Sequence, residues 1–249
     1  MVRKTITGCI SILLLTLGYA AHASETGTVL ITGANRGIGL ALAQQYVDAG
    51  WDVIATARKP AAADDLRELK VRIVQLDVTD QASVDNMAEE LSGVAIDVLI
   101  NNAGILPDMD GIDEIDIATY TQVLEVNAIG PVRVTQALMP NLRAGSMKKI
   151  MNTTSGLGSI TANRSGNYYG YRESKAALNM FTVTLARELD SDGFTIIGMN
   201  PGWVRTDMGG PGAPVSAQQS AAGIRSVIAK VARDDTGTYW NFQGGQLTW

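Results

Sequence analysis

The chain has 249 residues, 46% of them hydrophobic and 18% charged, with a formal net charge of −5. That length and apolar content suit one α/β domain with a sizeable core, and an acidic balance without a basic stripe argues against nucleic acid as a partner. The only cysteine, Cys9, and the only histidine, His22, lie near the start. A chain that loses this segment has no Ser-His-Asp triad, cysteine nucleophile or His/Cys zinc site, and no metal site is expected.

The N-terminus has the pattern of an export signal. Arg3 and Lys4 precede the apolar run 10–17, which is too short to span a bilayer, and Ala21-His22-Ala23 places small residues two apart. The expectation is a signal peptide over 1–23, a mature start at Ser24 and no membrane span after cleavage. A bacterial protein of this kind is periplasmic. The cytoplasm is the alternative if the signal is not used.

From Thr28 onward, short apolar runs alternate with amphipathic stretches, the pattern of βαβ units. Strands are expected at 28–32, 52–56, 72–76, 98–101, 149–153, 195–199 and 238–242. Most are apolar throughout, as strands covered on both faces are. Ile38, Leu42 and Tyr46 recur at helical spacing, as do Leu178, Phe181, Leu185 and Leu189. The Gly/Pro-rich stretch 209–214 reads as loop. The expected fold is a single Rossmann-type, doubly wound domain, residues 24–249, with a mostly or wholly parallel sheet of about seven strands.

After the first strand comes Thr32-Gly33-Ala34-Asn35-Arg36-Gly37-Ile38-Gly39. A strand, a tight glycine turn and a helix N-terminus present free backbone N–H groups and a positive dipole end to a phosphate. Gly33 permits the turn, Gly37 lets backbone approach a pyrophosphate and Gly39 allows close helix–sheet packing. The second strand ends in Ala55-Thr56-Ala57-Arg58, with no acid to take ribose hydroxyls. Arg58, with Arg36 in the turn, favours NADP(H) over NAD(H).

Further along, Tyr171-Arg172-Glu173-Ser174-Lys175 sets a phenol and an ammonium four residues apart, on one face of a helix. A free tyrosine, with a pKa of about 10, is a poor acid/base at neutral pH, and a nearby ammonium favours its phenolate. Tyr168 and Tyr169 lack such a partner, since four residues on stand Arg172 and Glu173.

The Gly-x-x-x-Gly-x-Gly spacing, Asn101-Asn102-Ala103-Gly104 and Tyr-x-x-x-Lys, in this order, resemble the short-chain dehydrogenase/reductase family over nearly all of the chain from Thr28. The longer segment before Tyr171, the Gly/Pro-rich loop and the terminal Trp249 resemble its carbonyl-reductase branch related to bacterial C-factor. The resemblance implies that Asp77 and Val78 meet the adenine, that Asn102, Ala103 and Gly104 lie along the cofactor, and that Pro201, Gly202, Val204 and Thr206 meet the nicotinamide end. It implies a catalytic set of Asn127, Ser155, Tyr171 and Lys175, with Tyr171 as proton donor or acceptor, Lys175 bonding the nicotinamide ribose, Ser155 holding the carbonyl oxygen and Asn127 carrying a relay water. Ser159 is the alternative serine, because the gap from Ser155 to Tyr171 exceeds the commonest family spacing. The activity implied is interconversion of a small-molecule carbonyl and a secondary alcohol, in a homodimer or homotetramer. The alternative is a signalling or redox-sensing dinucleotide binder of C-factor type with little turnover.

Overall fold

A computed structural model describes residues 26–249; the expected signal peptide and cleavage point lie outside the described residues. The elements run β1 (Thr28–Ile31), α1 (Gly37–Asp48), β2 (Asp52–Ala57), α2 (Asp64–Glu68), β3 (Arg72–Gln75), α3 (Gln81–Glu90), β4 (Val98–Asn101) and α4 (Ile117–Leu124). A π turn at Glu125–Ile129 leads into α5 (Gly130–Ala137), followed by α6 (Met139–Ala144), β5 (Lys149–Thr153) and α7 (Tyr171–Glu188). The chain closes with β6 (Thr195–Asn200), β7 (Val204–Arg205), β8 (Val215–Ser216), α8 (Ala217–Lys230), β9 (Thr238–Asn241) and β10 (Gln246–Leu247).

One sheet of eight strands, in the order β10-β9-β6-β5-β4-β1-β2-β3, forms the centre. Every pair in it is parallel except β9/β10. This is the Rossmann-type, doubly wound arrangement. The seven expected strands all form. The eighth, β10, is two residues long, too short for any periodicity to show. A second small parallel pair, β7/β8, flanks the stretch 209–214, which remains turn.

Alternation along the strands divides the core into two layers. Val29 and Ile31 of β1 point to the layer holding Leu42 and Tyr46 of α1 and Ile224, Val227 and Ile228 of α8. Leu30 points to the other, with Val134 of α5 and Ala186 of α7. A side chain such as Leu42, fully enclosed between α1 and the sheet, contributes about 1.5–3 kcal/mol from burial. Strand β1 bonds to β2 on one side and β4 on the other, so connections leave it in opposite directions. A crevice opens at the carboxyl ends of such strands. The glycine turn leaves β1 there and Asn102 follows β4.

Candidate active site

The glycine turn makes a cradle of backbone donors. Gly33 and Gly37 have φ of +63° and +56°, which side-chain-bearing residues adopt only at a cost. Arg36 precedes α1 without any side-chain cap, leaving the helix's first N–H groups for a ligand. A Cβ on Gly39 would lie 2.3 Å from the Gly33 carbonyl oxygen, so only glycine lets the helix start this close to the strand end. Thr32 ties the turn to β4: its Oγ1 accepts from the N–H groups of Asn102 and Ala103 at 2.9 and 3.0 Å. The Asn102 amide donates to the carbonyls of Thr32 and Gly33 at 3.0 and 3.2 Å. The Thr32 role had no signal in the sequence beyond its place at the strand end.

Gly104 continues this wall. A Cβ there would lie 3.7 Å from Lys175 Nζ and 3.3 Å from Asn127 Oδ1, so a bare backbone faces the catalytic candidates. The opposite wall is the segment after β6. Pro201 is buried, with its carbonyl accepting from Ser220 Oγ at 2.8 Å. Gly202 turns at φ +84°, where a Cβ would strike the Phe242 ring at 2.8 Å. Val204 is buried, and Thr206 reaches the glycine turn, its Cγ2 only 3.3 Å from where a Cβ on Gly37 would stand. Asn35 and Ile38, on the rim of the cradle, are half-buried.

Tyr171 and Lys175 occupy the first turns of α7, both buried on one face. Lys175 Nζ donates to the Thr153 carbonyl at 2.8 Å and lies 5.6 Å from the centre of the Tyr171 ring. Burial brings its pKa down to about 8. Burial also pushes the Tyr171 phenol above its ordinary value, and the neighbouring Ser155 hydroxyl only partly opposes this. Burial therefore sets the direction for the resting phenol, and the ammonium, 5.6 Å from the ring centre, is placed to favour the phenolate once the proton has left.

Ser155 lies just beyond β5, half-buried, with Oγ accepting from Leu157 N at 3.2 Å and the hydroxyl beside the Tyr171 phenol. Ser159 is engaged within its own loop, against Thr161 Oγ1 and Ala162 N, both at 3.3 Å. The structure therefore brings Ser155, not Ser159, to Tyr171. Asn127 sits in the π turn with its amide fully used. Oδ1 accepts from Ile105 N at 2.9 Å, and Nδ2 donates to Ile105 O at 2.9 Å and Ser174 Oγ at 3.1 Å. Four residues on stands Pro131, which has no N–H to return a helical bond to the Asn127 carbonyl.

The residues expected to choose the cofactor are apart. Arg58 is exposed beyond β2, close enough to Asp77 for its charge to act on that carboxyl. Burial raises the Asp77 pKa, but two bonds from Thr79 and the Arg58 charge outweigh it and hold the carboxyl below its ordinary value. Asp77 Oδ1 accepts from Thr79 N and Oγ1 at 3.0 and 2.7 Å, and Val78 beside it is buried. Arg36 is committed instead to Asp207, Nη1 to Oδ2 at 2.8 Å, with both side chains largely exposed. Among the described residues, no group of three His, Cys, Asp or Glu side chains could hold a metal, and no helix is long and apolar enough to cross a membrane.

Several known proteins are similar to this chain. The C-signal protein of Myxococcus xanthus is 40% identical over 154 residues, covering 62% of this chain and 93% of that protein. The carbonyl reductase Sniffer of D. melanogaster is 30% identical with a TM-score of 0.86, covering 90% of this chain and all of that one. An NADPH-bound carbonyl reductase from chicken fatty liver is 33% identical with a TM-score of 0.84 over the same shares. The sequence profile of the short chain dehydrogenase family matches residues 27–214, and the chain belongs to that family of oxidoreductases.

Proposed function

We propose that the protein is an NADP(H)-dependent reductase interconverting a carbonyl compound and a secondary alcohol, with Tyr171 as the general acid/base. The observation that carries this reading is the placement of Tyr171 and a buried Lys175 on one face of α7 with the Ser155 hydroxyl beside the phenol, next to the glycine turn and Gly104. NADPH, when bound, supplies the hydride. The uncapped start of α1 and the side-chain-free backbone at Gly33, Gly37 and Gly104 fit its pyrophosphate and ribose.

Tyr171 and Ser155 converge on one point, where a carbonyl oxygen would accept from both hydroxyls. As negative charge develops there, Ser155 holds it and Tyr171 delivers the proton. The Lys175 ammonium, charged below about pH 8, then stabilises the phenolate left behind. Reduction therefore runs best below the Lys175 pKa and weakens as that ammonium is lost.

A dinucleotide-binding signalling protein with little turnover is the second reading, favoured by the likeness to C-signal. The two separate on one assay: NADPH oxidation followed by absorbance across aldehydes and ketones. Steady substrate-dependent turnover is the expected result. Tight NADPH binding with no turnover on any carbonyl would overturn the enzyme reading. Homodimeric or homotetrameric assembly is proposed alongside, and light scattering of the purified chain measures it.

A further inference from the structure

We propose that Asn179 is a positioning residue that sets the catalytic hydroxyl of Ser155 by clamping both ends of its turn; the inference rests on the reductase reading above. Asn179 lies on α7 one turn beyond Lys175, so Tyr171, Lys175 and Asn179 recur every fourth residue along one buried face. Its amide makes two bonds. Thr154 Oγ1 donates to Oδ1 at 2.5 Å, and Nδ2 donates to the Gly158 carbonyl at 3.3 Å. Thr154 immediately precedes Ser155, and Gly158 closes the short helical turn Gly156–Gly158 that Ser155 caps.

The amide can face only one way. Turned over, Oδ1 would oppose the Gly158 carbonyl oxygen, two acceptors with no proton between them. A Cβ on Gly158 would lie 2.8 Å from Lys175 Cβ, so the turn is also pressed directly onto α7 at the catalytic lysine. Other bonds fix the strand end behind the serine. Thr154 N donates to Met199 O at 2.8 Å, and Lys175 Nζ bonds Thr153 O. Among the hydrogen bonds described, Asn179 is the side chain that reaches across Ser155 to both flanks. A serine placed to share its hydroxyl with a phenol and an incoming oxygen must be held to a fraction of an ångström.

Such a clamp acts through Ser155, and its loss cannot matter once that hydroxyl is gone. The test is a double-mutant cycle of Asn179→Leu and Ser155→Ala, reading kcat, KM and NADPH affinity by fluorescence. Thr154→Val, which removes only the donor to Oδ1, runs in parallel should Asn179→Leu fold poorly. The expected result is a fall of about tenfold in kcat for either variant, with NADPH affinity held within about twofold. In the Ser155→Ala background the same changes should cost almost nothing more. Equal losses in both backgrounds, parallel loss of NADPH binding, or unchanged kcat in either folded variant would overturn the clamp while leaving the reductase reading intact. Absence of wild-type turnover overturns both.

Discussion

At the scale of single residues, the site depends on which hydroxyl protons are free to move. Tyr171→Phe keeps the ring in its apolar setting among Met109 and Val123 and removes only the transferable proton. Turnover should fall by at least about a hundredfold, the scale typical of general acid–base catalysis, with NADPH affinity nearly unchanged. Near-normal turnover would remove Tyr171 from the chemistry. Cofactor choice tests differently. Arg58 is exposed beyond β2, near Asp77, and a charge-assisted hydrogen bond contributes about 1.5–3 kcal/mol, less when exposed and in salt. Arg58→Asp should therefore cut the NADPH-to-NADH affinity ratio by roughly tenfold or more. Changing Arg36 should do less, because its guanidinium already faces Asp207. An unaltered Kd ratio in Arg58→Asp would make that arginine a solvated bystander.

Among the described helices, α7 is the one that buries a charged side chain, Lys175. It buries Ser174, Lys175, Asn179 and Thr182, where a chain selected for packing alone would place apolar groups. Lys175 has its pKa lowered from 10.5 to about 8. Between those values the unfolded chain holds a proton that the folded chain has released, so stability gained from this group rises with pH from about 8 and is complete above 10.5. Below pH 8 the folded state carries a desolvated ammonium, a cost on the order of 3 kcal/mol. Lys175→Met removes that dependence. Urea midpoints of wild type and variant, measured at pH 7 and at pH 10, should show wild type gaining relative to the variant. Parallel profiles at the two pH values would mean that Lys175 is not held in this way.

The same helix shows where the sequence is legible. Strands enclosed by helices are nearly pure runs of apolar residues, so β1, β4 and β6 announce themselves, and the glycine turn and Tyr-x-x-x-Lys announce the crevice. Apolar spacing finds Leu178 and Leu185 on α7 but passes over Asn179, since a buried polar residue has no periodic signature of its own. The inward-turned amide of Asn127, bonded to both backbone groups of Ile105, hides similarly. Long-range pairings such as Arg36 with Asp207, 171 residues apart, depend on the folded arrangement of two loops and have no local trace.

For the molecule as a whole, the sequence before residue 26 and the folded domain make separate claims. The basic–apolar–small pattern over 1–23 leads us to propose export, with cleavage leaving Ser24 as the first residue. Intact mass of protein recovered from the periplasm of a Gram-negative host should match a chain starting there. Recovery of only full-length protein from the cytoplasm would refute it. An exported form would fold outside the cytoplasm, and the described domain has no cysteine to pair wrongly under oxidising conditions.

The two ends of the sheet differ in how they meet solvent. At one end β3 is four residues long, with Arg72 exposed and bonded to the Glu90 carbonyl and carboxylate at 3.0 and 3.2 Å. At the other, β10 runs antiparallel beside β9 for only two residues, with Gln246 opposite Trp240 and Leu247 opposite Tyr239. Each outer strand offers a neighbouring molecule either a charge or too few free N–H and C=O groups to template a further strand. Without that short cover, the aromatic-rich Thr238–Asn241 would be the border, an extended, β-prone edge of the kind from which aggregation spreads from one chain to the next. The two residues of β10 thus cover part of that aromatic edge from within the same chain.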